Sequence, residues 1–292
     1  MRPDIALIHA LMRLLALLPL RVLHAAGAAL GWVMWRLGAR AAHHTRVNIA
    51  LARPALAAPD RERLVGASML EFGRSVSEMA WIWGRGARRA LKGVAEVRGL
   101  EWFEAALADD KGLIIAAPHL GCWELLNYWL CDRTEMAILY RPPHIAALEP
   151  LLRKVRGDLA PEQVRAEGAG VRTLFRRLGR GGNVGILPDQ KPRGGEGQIA
   201  PFYGRDALTM VLLPRLAART GATVLYAFAE RLPRGRGYRV HFLPAPAALV
   251  DADMAVACRA LNEGVEACVE RAFTQYQWNY RRFSGHGLAN PY

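Results

Sequence analysis

Short apolar runs alternate with helical segments along residues 113–273 of this 292-residue chain, and this alternation constrains the fold most strongly. The run at 113–117, for example, lies between Lys111-Gly112 and Pro118, as expected of a short buried strand. Strands that alternate with helices build an α/β fold, with helices on both faces of a largely parallel or mixed central sheet. The predicted strands are 113–117, 136–140, 183–188, 223–229 and 238–243, and the predicted helices are 123–131, 145–156, 170–179, 208–219 and 252–273.

The most apolar long stretch, residues 5–37, precedes this α/β region. Arg13 and the Leu18-Pro19-Leu20-Arg21 segment interrupt it, so neither half offers about 20 consecutive apolar residues. We expect two helices, over 5–18 and 22–37, that meet at a proline bend and anchor the chain to a membrane, either as a short span or in its plane. The alternative is a pair of buried helices in a soluble protein. The flanks do not resemble a cleavable signal peptide.

Two domains are predicted, membrane-associated N-terminal helices over 1–45 and a catalytic domain over 46–292. Residues 59–84 have helical periodicity in their apolar positions, which indicates a long helix at the start of the second domain.

The net charge of +13, from 39 basic and 26 acidic residues, favours an anionic partner. Nucleic acid is disfavoured because zinc-finger spacing and RNA-binding aromatic motifs are absent from the sequence. Anionic lipid headgroups fit better, since Arg36, Arg40 and Arg46 follow the apolar stretch, and the same arginines predict that the bulk of the protein stays cytoplasmic. An acidic carrier protein or a phosphorylated glycolipid also fits. Genomic base composition explains part of the bias, because arginine outnumbers lysine 35 to 4.

Neither the cysteines nor the glycines indicate a cofactor. Cys122, Cys131, Cys258 and Cys268 have no CxxC spacing, which favours reduced structural thiols. The glycine-rich tracts lack the G-K-[S/T] of a nucleotide loop.

His119 and Glu124 follow the first predicted strand at a spacing of five. On one regular helix such residues point about 140° apart, so they meet only if a turn intervenes, and Gly121 supplies it. A carboxylate that holds one ring nitrogen leaves the other free to take a proton from an alcohol. The pattern therefore predicts a general-base pair without a protein nucleophile. A buried structural histidine and a metal site are the alternatives, and the other histidines form no ligand pair with His119.

Arg141 and Asp189 also fall just past predicted strand ends, where active sites of such sheets collect. The prolines after Arg141 stiffen its backbone, and an arginine there suits a phosphate or a developing oxyanion. A solvated arginine is the alternative for Arg141, and a simple turn after the strand is the alternative for Asp189.

Several segments, in this order, resemble the late acyltransferases of lipid A biosynthesis, a branch of the glycerolipid acyltransferase superfamily whose signature is an H-x-x-x-x-E box. The likeness covers nearly the whole chain. Its segments are Asn48 to Pro54, His119 to Glu124, Tyr140-Arg141-Pro142, Leu187-Pro188-Asp189-Gln190, Pro201-Phe202-Tyr203-Gly204 with Thr209, and Gln275-Tyr276-Gln277-Trp278 with Arg281-Arg282-Phe283.

The resemblance implies an O-acyltransferase that moves a fatty acyl chain from an acyl carrier protein thioester to a hydroxyl of a lipid A precursor. His119 would be the general base, oriented by Glu124, with no metal and no dissociable cofactor. The implied substrate-binding residues are Arg141, Arg156, Asp189, Gln190, Phe202, Tyr203 and Gly204, although Phe202 and Tyr203 fit an aromatic core nearly as well. Trp278, Arg281 and Arg282 would cap the site or meet the membrane surface.

The expected location is the bacterial inner membrane, with the catalytic domain on the cytoplasmic face. Three alternatives remain open: another glycolipid or an amino-acid lipid as acceptor, or a non-catalytic membrane protein that binds lipid. An acyl-enzyme route through Cys122 is disfavoured, because no base is placed to activate that thiol separately from His119.

Overall fold

The computed structural model describes residues 3–140, 149–157, 159, 161–166, 168–192 and 196–292, with residues 3–6 described by their backbone only. Within these residues, β6 pairs with β7 in a ribbon, and seven other strands form one sheet. The strands are β1 (Val94–Arg98), β2 (Leu113–Ala116), β3 (Met136–Tyr140), β4 (Glu162–Arg165), β5 (Asn183–Ile186), β6 (Gly197–Phe202), β7 (Arg205–Met210), β8 (Thr223–Arg231) and β9 (Tyr238–Pro244).

The large sheet is mixed but mostly parallel, as the sequence predicted. Its strand order is β1-β9-β8-β2-β5-β3-β4, and the five strands from β8 to β4 are parallel to one another. β9 returns antiparallel to β8 after a short connection, and β1 lies parallel to β9 at the edge. Because β2 and β5 are neighbours, the residues that follow them meet at the same edge of the sheet.

Helices cover both faces of this sheet, which confirms the predicted layers. Ile114 of β2 belongs to the core shared with α9, α10 and α11, while Leu113 and Ile115 belong to the core shared with α2, α6 and α7. The helices are α1 (Pro3–Leu15), α2 (Leu20–Arg36), α3 (Arg40–Ala52), α4 (Ala58–Arg85), α5 (Ala87–Ala90), α6 (Leu100–Ala108), α7 (Trp123–Arg133), α8 (Glu149–Arg156), α9 (Gly168–Leu178), α10 (Leu212–Thr220) and α11 (Met254–Val269).

The five predicted strands are all present, and the strands that the sequence did not predict are polar edges or lie outside the large sheet. β4 is an edge strand in which only Val164 is buried, and β1 forms the other edge. The helix predicted over 208–219 begins too early, because residues 208–210 belong to β7. Residues 145–148 of the helix predicted over 145–156 lie outside the described residues. Strands β1 and β4 were missed because an edge strand buried on one side lacks the continuous apolar run that marks a central strand.

The N-terminal helices bend at Pro19, as predicted. Among the described residues no single helix is long and apolar enough to cross a membrane, and Leu7–Leu15 with Leu20–Arg36 qualifies only as a pair bent by 115°. Much of the apolar surface of α1, α2 and their flanks faces outward. The large exposed side chains there are Leu7, Ile8, Leu11, Leu14, Leu17, Leu18, Val22, Leu30, Trp32, Val33 and Leu37.

Helix α2 is packed tightly against α4. A Cβ added at Gly31 would lie 2.0 Å from the carbonyl oxygen of Met69, so the two backbones cross without room for a side chain. The predicted domain boundary at residue 45 falls within α3. The division into an anchor and a catalytic domain stays a prediction.

Candidate active site

His119 lies in a tight turn between β2 and α7, as the sequence predicted. Gly121 in this turn has φ +62°, and the backbone N–H of Cys122 donates to the carbonyl of Ala229 in β8 at 2.8 Å. The backbone N–H of Gly121 donates to the carbonyl of Gln275 at 3.2 Å. The turn is therefore held by the sheet on one side and by the C-terminal segment on the other.

Replacing Gly121 with alanine should destabilise the fold by about 2–4 kcal/mol, because the backbone there has a left-handed conformation and leaves no room for a methyl group. A left-handed φ disfavours any Cβ, and this Cβ would lie 2.0 Å from the carbonyl oxygen of Ala229. Urea unfolding followed by circular dichroism measures the change. Gly204→Ala is a matched control, because Gly204 also has a positive φ but no atom within 4 Å of an added Cβ. Equal losses in the two variants would contradict the steric argument.

The imidazole of His119 is bound by Asp189, which lies past the end of β5. Nδ1 of His119 is 2.9 Å from Oδ1 of Asp189, and the backbone N–H of His119 donates to Oδ2 at 3.0 Å. The Asp189 side chain is 2% exposed. Burial raises the pKa of this carboxyl, but the charge and hydrogen bonds of His119 outweigh burial and hold the pKa below its usual value. An ionised Asp189 that accepts from Nδ1–H leaves Nε2 as the basic nitrogen.

The predicted hydrogen bond between Glu124 and His119 is wrong, because the Glu124 carboxylate has other partners. Both of its oxygens accept from Arg156 Nε at 3.1 Å, and one also accepts from Arg156 Nη2. Trp83 Nε1 donates to Glu124 at 3.4 Å. Glu124 sits in the first turn of α7 beside α8, whereas adjacent parallel strands bring Asp189 beside His119.

His119, Glu124, Arg156 and Gln190 nevertheless line one cleft of about 270 Å³. The same cleft is also lined by apolar side chains. The other lining residues are Trp123, Asn127, Ile138, Leu139, Tyr140, Ala166, Leu187 and Met210. Such a cavity suits a ligand with an apolar chain and a reactive polar group.

Gln190 fixes the second nitrogen of the His119 ring. Its Nε2 lies 3.2 Å from His119 Nε2 and 3.0 Å from Oε1 of Gln277, to which it donates. One amide N–H of Gln190 thus faces the His119 lone pair while the other is bound by Gln277. This arrangement agrees with the tautomer that Asp189 selects.

Comparison with known proteins identifies the family. Residues 3–284 match the family model described as bacterial lipid A biosynthesis acyltransferase. The chain belongs to this family. It is 25% identical over 269 residues to the lipid A biosynthesis lauroyltransferase of Escherichia coli (strain K12), covering 91% of this chain and 86% of the relative.

Two further relatives have names that state another acyl group or another lipid. The lipid A biosynthesis palmitoleoyltransferase of the same E. coli strain is 25% identical over 244 residues, which cover 82% of this chain and 77% of the relative. The phosphatidylinositol mannoside acyltransferase of Mycobacterium tuberculosis (strain ATCC 25618 / H37Rv) is 30% identical over 208 residues. These residues cover 67% of this chain and 63% of the relative. The protein is thus an acyltransferase, as the sequence predicted.

Of the two arginines predicted to bind substrate, the structure describes only Arg156. Arg141 lies outside the described residues. Arg156 lines the cleft, and attraction to Glu124 raises the pKa of its guanidinium, so it stays charged. Its Nε and Nη2 donate to Glu124, and Nη1 has no hydrogen-bond partner among the described residues. Nη1 is therefore the part of Arg156 available to an anionic ligand.

Phe202, Tyr203 and Gly204 do not line the cleft, in contrast to their prediction as substrate-binding residues. Phe202 is fully buried in the aromatic core. Tyr203 and Gly204 have φ of 50° and 70° and form the two-residue turn between β6 and β7, as in a type I′ hairpin. The backbone N–H of Tyr203 donates to Glu266 of α11 at 2.7 Å. The alternative of aromatic core is confirmed for Phe202, and the Tyr203 ring packs against the same core beside Trp278.

The C-terminal segment of the acyltransferase is structural, since the cleft that it was predicted to cap is not lined by Trp278, Arg281 or Arg282. Trp278 and Arg282 are each 2% exposed, so neither meets a membrane surface, and Arg281 is half-buried. Arg282 donates to the Leu208 carbonyl at 2.7 Å, beside the ribbon. Asn48 of α3 donates to the carbonyls of Trp278 and Tyr280. This clamp positions Gln277, whose Oε1 accepts from Gln190, a contact that the family segment containing Gln277 did not indicate.

Cys122 is placed as a structural residue. It is buried, and burial together with the Glu78 carboxylate raises the pKa of its thiol well above the usual value. A protonated buried thiol is a poor nucleophile, so the structure supports the preferred structural interpretation. Glu78 itself is paired with Arg231 of β8, and each side chain is 2% exposed.

Proposed function

We propose that this acyltransferase moves a fatty acyl chain from an acyl carrier protein thioester to a hydroxyl of a lipid A precursor, with His119 as the general base. The observation that carries the proposal is the His119–Asp189 pair, whose second ring nitrogen accepts from Gln190 and belongs to a residue that lines a partly apolar cleft. The family match and the E. coli relatives support the reaction class and a lipid A type of acceptor.

The reaction needs one proton transfer to the base and one bond exchange. As the acceptor hydroxyl displaces the Gln190 amide from His119 Nε2, its proton passes to that nitrogen and its oxygen attacks the thioester carbonyl carbon. Collapse of the tetrahedral intermediate forms the ester and breaks the carbon–sulfur bond. His119 then returns the proton to the leaving thiolate. Asp189 stabilises the imidazolium that exists between these steps, without taking its proton.

Glu124 has a revised role in this proposal. It neutralises and orients Arg156, whose Nη1 has no hydrogen-bond partner among the described residues and is available to an anionic group, such as a phosphate of the acceptor or the developing oxyanion. Arg141 remains a proposed substrate-binding residue on sequence grounds alone.

We further propose that the protein works at the cytoplasmic face of the bacterial inner membrane, through α1 and α2. Large apolar side chains are exposed along these helices, including Leu11 at 53% and Leu17 at 75%, and Arg13, Arg21 and Arg36 accompany them. Apolar side chains beside arginines suit the boundary between acyl chains and anionic headgroups. The acceptor lipid would then reach the cleft without leaving the bilayer.

Another glycolipid acceptor is the second candidate, because the M. tuberculosis relative is named for a phosphatidylinositol mannoside. The purified full chain should be given one acyl carrier thioester together with either a hydroxyacylated lipid A precursor or a phosphatidylinositol mannoside. Mass spectrometry should show one added acyl chain on the lipid A precursor. Product from the mannoside alone would support the second candidate. Lipid binding without thioester consumption would support a non-catalytic protein and would overturn the proposal.

A further inference from the structure

Five exposed arginines form a basic ridge on α9 and α10. They are Arg172, Arg176 and Arg180, spaced by four residues along and just past α9, and Arg215 and Arg219, spaced by four on α10. The two helices pack against each other, and the Arg219 guanidinium lies 5.0 Å from the centre of the Phe175 ring of α9. Arg172 and Arg176 share one face of α9, Arg215 and Arg219 share one face of α10, and the contact of Arg219 with Phe175 joins the two helices.

The ridge carries charge that the rest of the described protein does not neutralise. Neither helix contains an Asp or Glu, and none of the five arginines forms an ion pair with another described residue. Arg177 on α9 differs, because it pairs with Glu162 at 3.1 Å. Asp253, on the loop before α11, caps that helix by accepting the backbone N–H of Ala255. Like charges four apart on a helix repel each other weakly, and a surface of one sign attracts a partner of opposite charge.

The ridge begins at the rim of the cleft. Ala166 lines the cleft two residues before α9 starts, and Met210 lines it two residues before α10 starts. Both helices then run away from the carboxyl ends of the strands. A partner that lies along the ridge therefore has its end beside the cleft and His119.

The surface suits an acidic protein better than a bilayer. Among the described residues of α9 and α10, no large apolar side chain is exposed, so nothing there would insert into acyl chains. The apolar face of α1 and α2 offers such side chains instead. Leu20 and Leu23 at the start of α2 belong to the core on one face of the sheet, whereas the buried residues of α9 and α10 belong to the core on the other. The exposed apolar side chains of α1 and α2 and the basic ridge therefore lie on different helices, each with its own kind of surface.

We propose that the basic ridge is the docking surface of the acyl carrier protein, which binds there through an acidic helix or patch and delivers its thioester to the cleft. This inference rests on the proposed function for the identity of the donor. Charges at the rim of an interface mainly raise the association rate, so binding should weaken with salt.

The test compares Arg172→Glu combined with Arg176→Glu against the matched control Arg88→Glu combined with Arg89→Glu. The control arginines are exposed on α5 and form no ion pair within the described residues. The Kd of fluorescently labelled acyl carrier protein should rise at least tenfold for the ridge variant and stay within about twofold for the control. The rate with acyl-pantetheine, a donor without the carrier protein, should be unchanged in both.

The other outcomes distinguish a failure of the docking inference from a failure of the proposed acyl transfer. Unchanged carrier binding by the ridge variant would overturn the docking inference, even if acyl transfer proceeds. An equal fall with both donors would overturn it too, because the damage would not depend on the carrier. Loss of binding to anionic phospholipid vesicles, with carrier binding intact, would assign the ridge to a membrane. Carrier binding that depends on the ridge in a protein that transfers no acyl chain would leave docking standing and remove the proposed function.

Discussion

Replacing His119 with alanine should lower the rate of acyl transfer at least 10²–10⁴-fold, the usual contribution of a positioned general base. The acceptor hydroxyl would lose the only ring nitrogen placed to take its proton among the described cleft residues, while the cleft walls would remain. The measurement is the initial rate of acylated product formed by the full-length protein at saturating donor.

Two further variants make this result interpretable. In His119→Ala the buried Asp189 carboxylate loses a ring partner, which also costs stability. His119→Asn keeps an amide donor near Asp189 and should be as inactive while melting closer to the wild type. His43→Ala, which removes an exposed histidine, should retain full activity. A folded His119→Asn variant with near-normal transfer would refute the mechanism.

Asp189→Asn should lower the turnover number by about 10²–10⁴-fold, because it changes which ring nitrogen carries the proton. The two Asp189 oxygens accept from the ring N–H and from the backbone N–H of His119, and an asparagine has only one such oxygen. If that oxygen keeps the backbone N–H, the amide NH₂ faces Nδ1 and favours the tautomer protonated at Nε2. That tautomer cannot accept the proton of the hydroxyl.

The variant Glu124→Gln distinguishes the role of the Glu124 carboxylate from that of Asp189. Its loss should appear mainly as a rise in KM of about tenfold, since the substitution weakens the hold on Arg156 and leaves the His119 tautomer intact. Steady-state kinetics with varied acceptor distinguish KM from turnover. If Glu124→Gln lowered turnover as much as Asp189→Asn at unchanged KM, Glu124 rather than Asp189 would be the orienting carboxylate.

Local patterns were sufficient where a feature depends on neighbours in the chain. The apolar run 113–117, the glycine at 121 and the apolar segment after Trp123 together predicted that His119 sits in a strand-to-helix turn, and it does. Central strands were found because burial on both faces demands a continuous apolar run. Edge strand β4 was not predicted because three of its four residues are not buried.

The carboxylate that holds His119 was assigned wrongly because sequence distance is a poor guide to partners across a sheet. Glu124 is five residues away but points to α8, whereas Asp189 is 70 residues away and lies on the neighbouring strand end. Tyr203 was misplaced for a related reason. The family segment that contains Tyr203 implied substrate binding, but the residue has a positive φ in a hairpin turn and its ring packs against the core.

The order of residues alone determined the layered α/β fold, the histidine at a strand end and the resemblance to an acyltransferase family, since each follows from periodicity or from residues close in the chain. Tertiary structure alone decided which carboxylate binds that histidine, which arginine stays paired and which aromatics are core. Those outcomes depend on strand order and helix packing, which bring together residues that no local pattern connects.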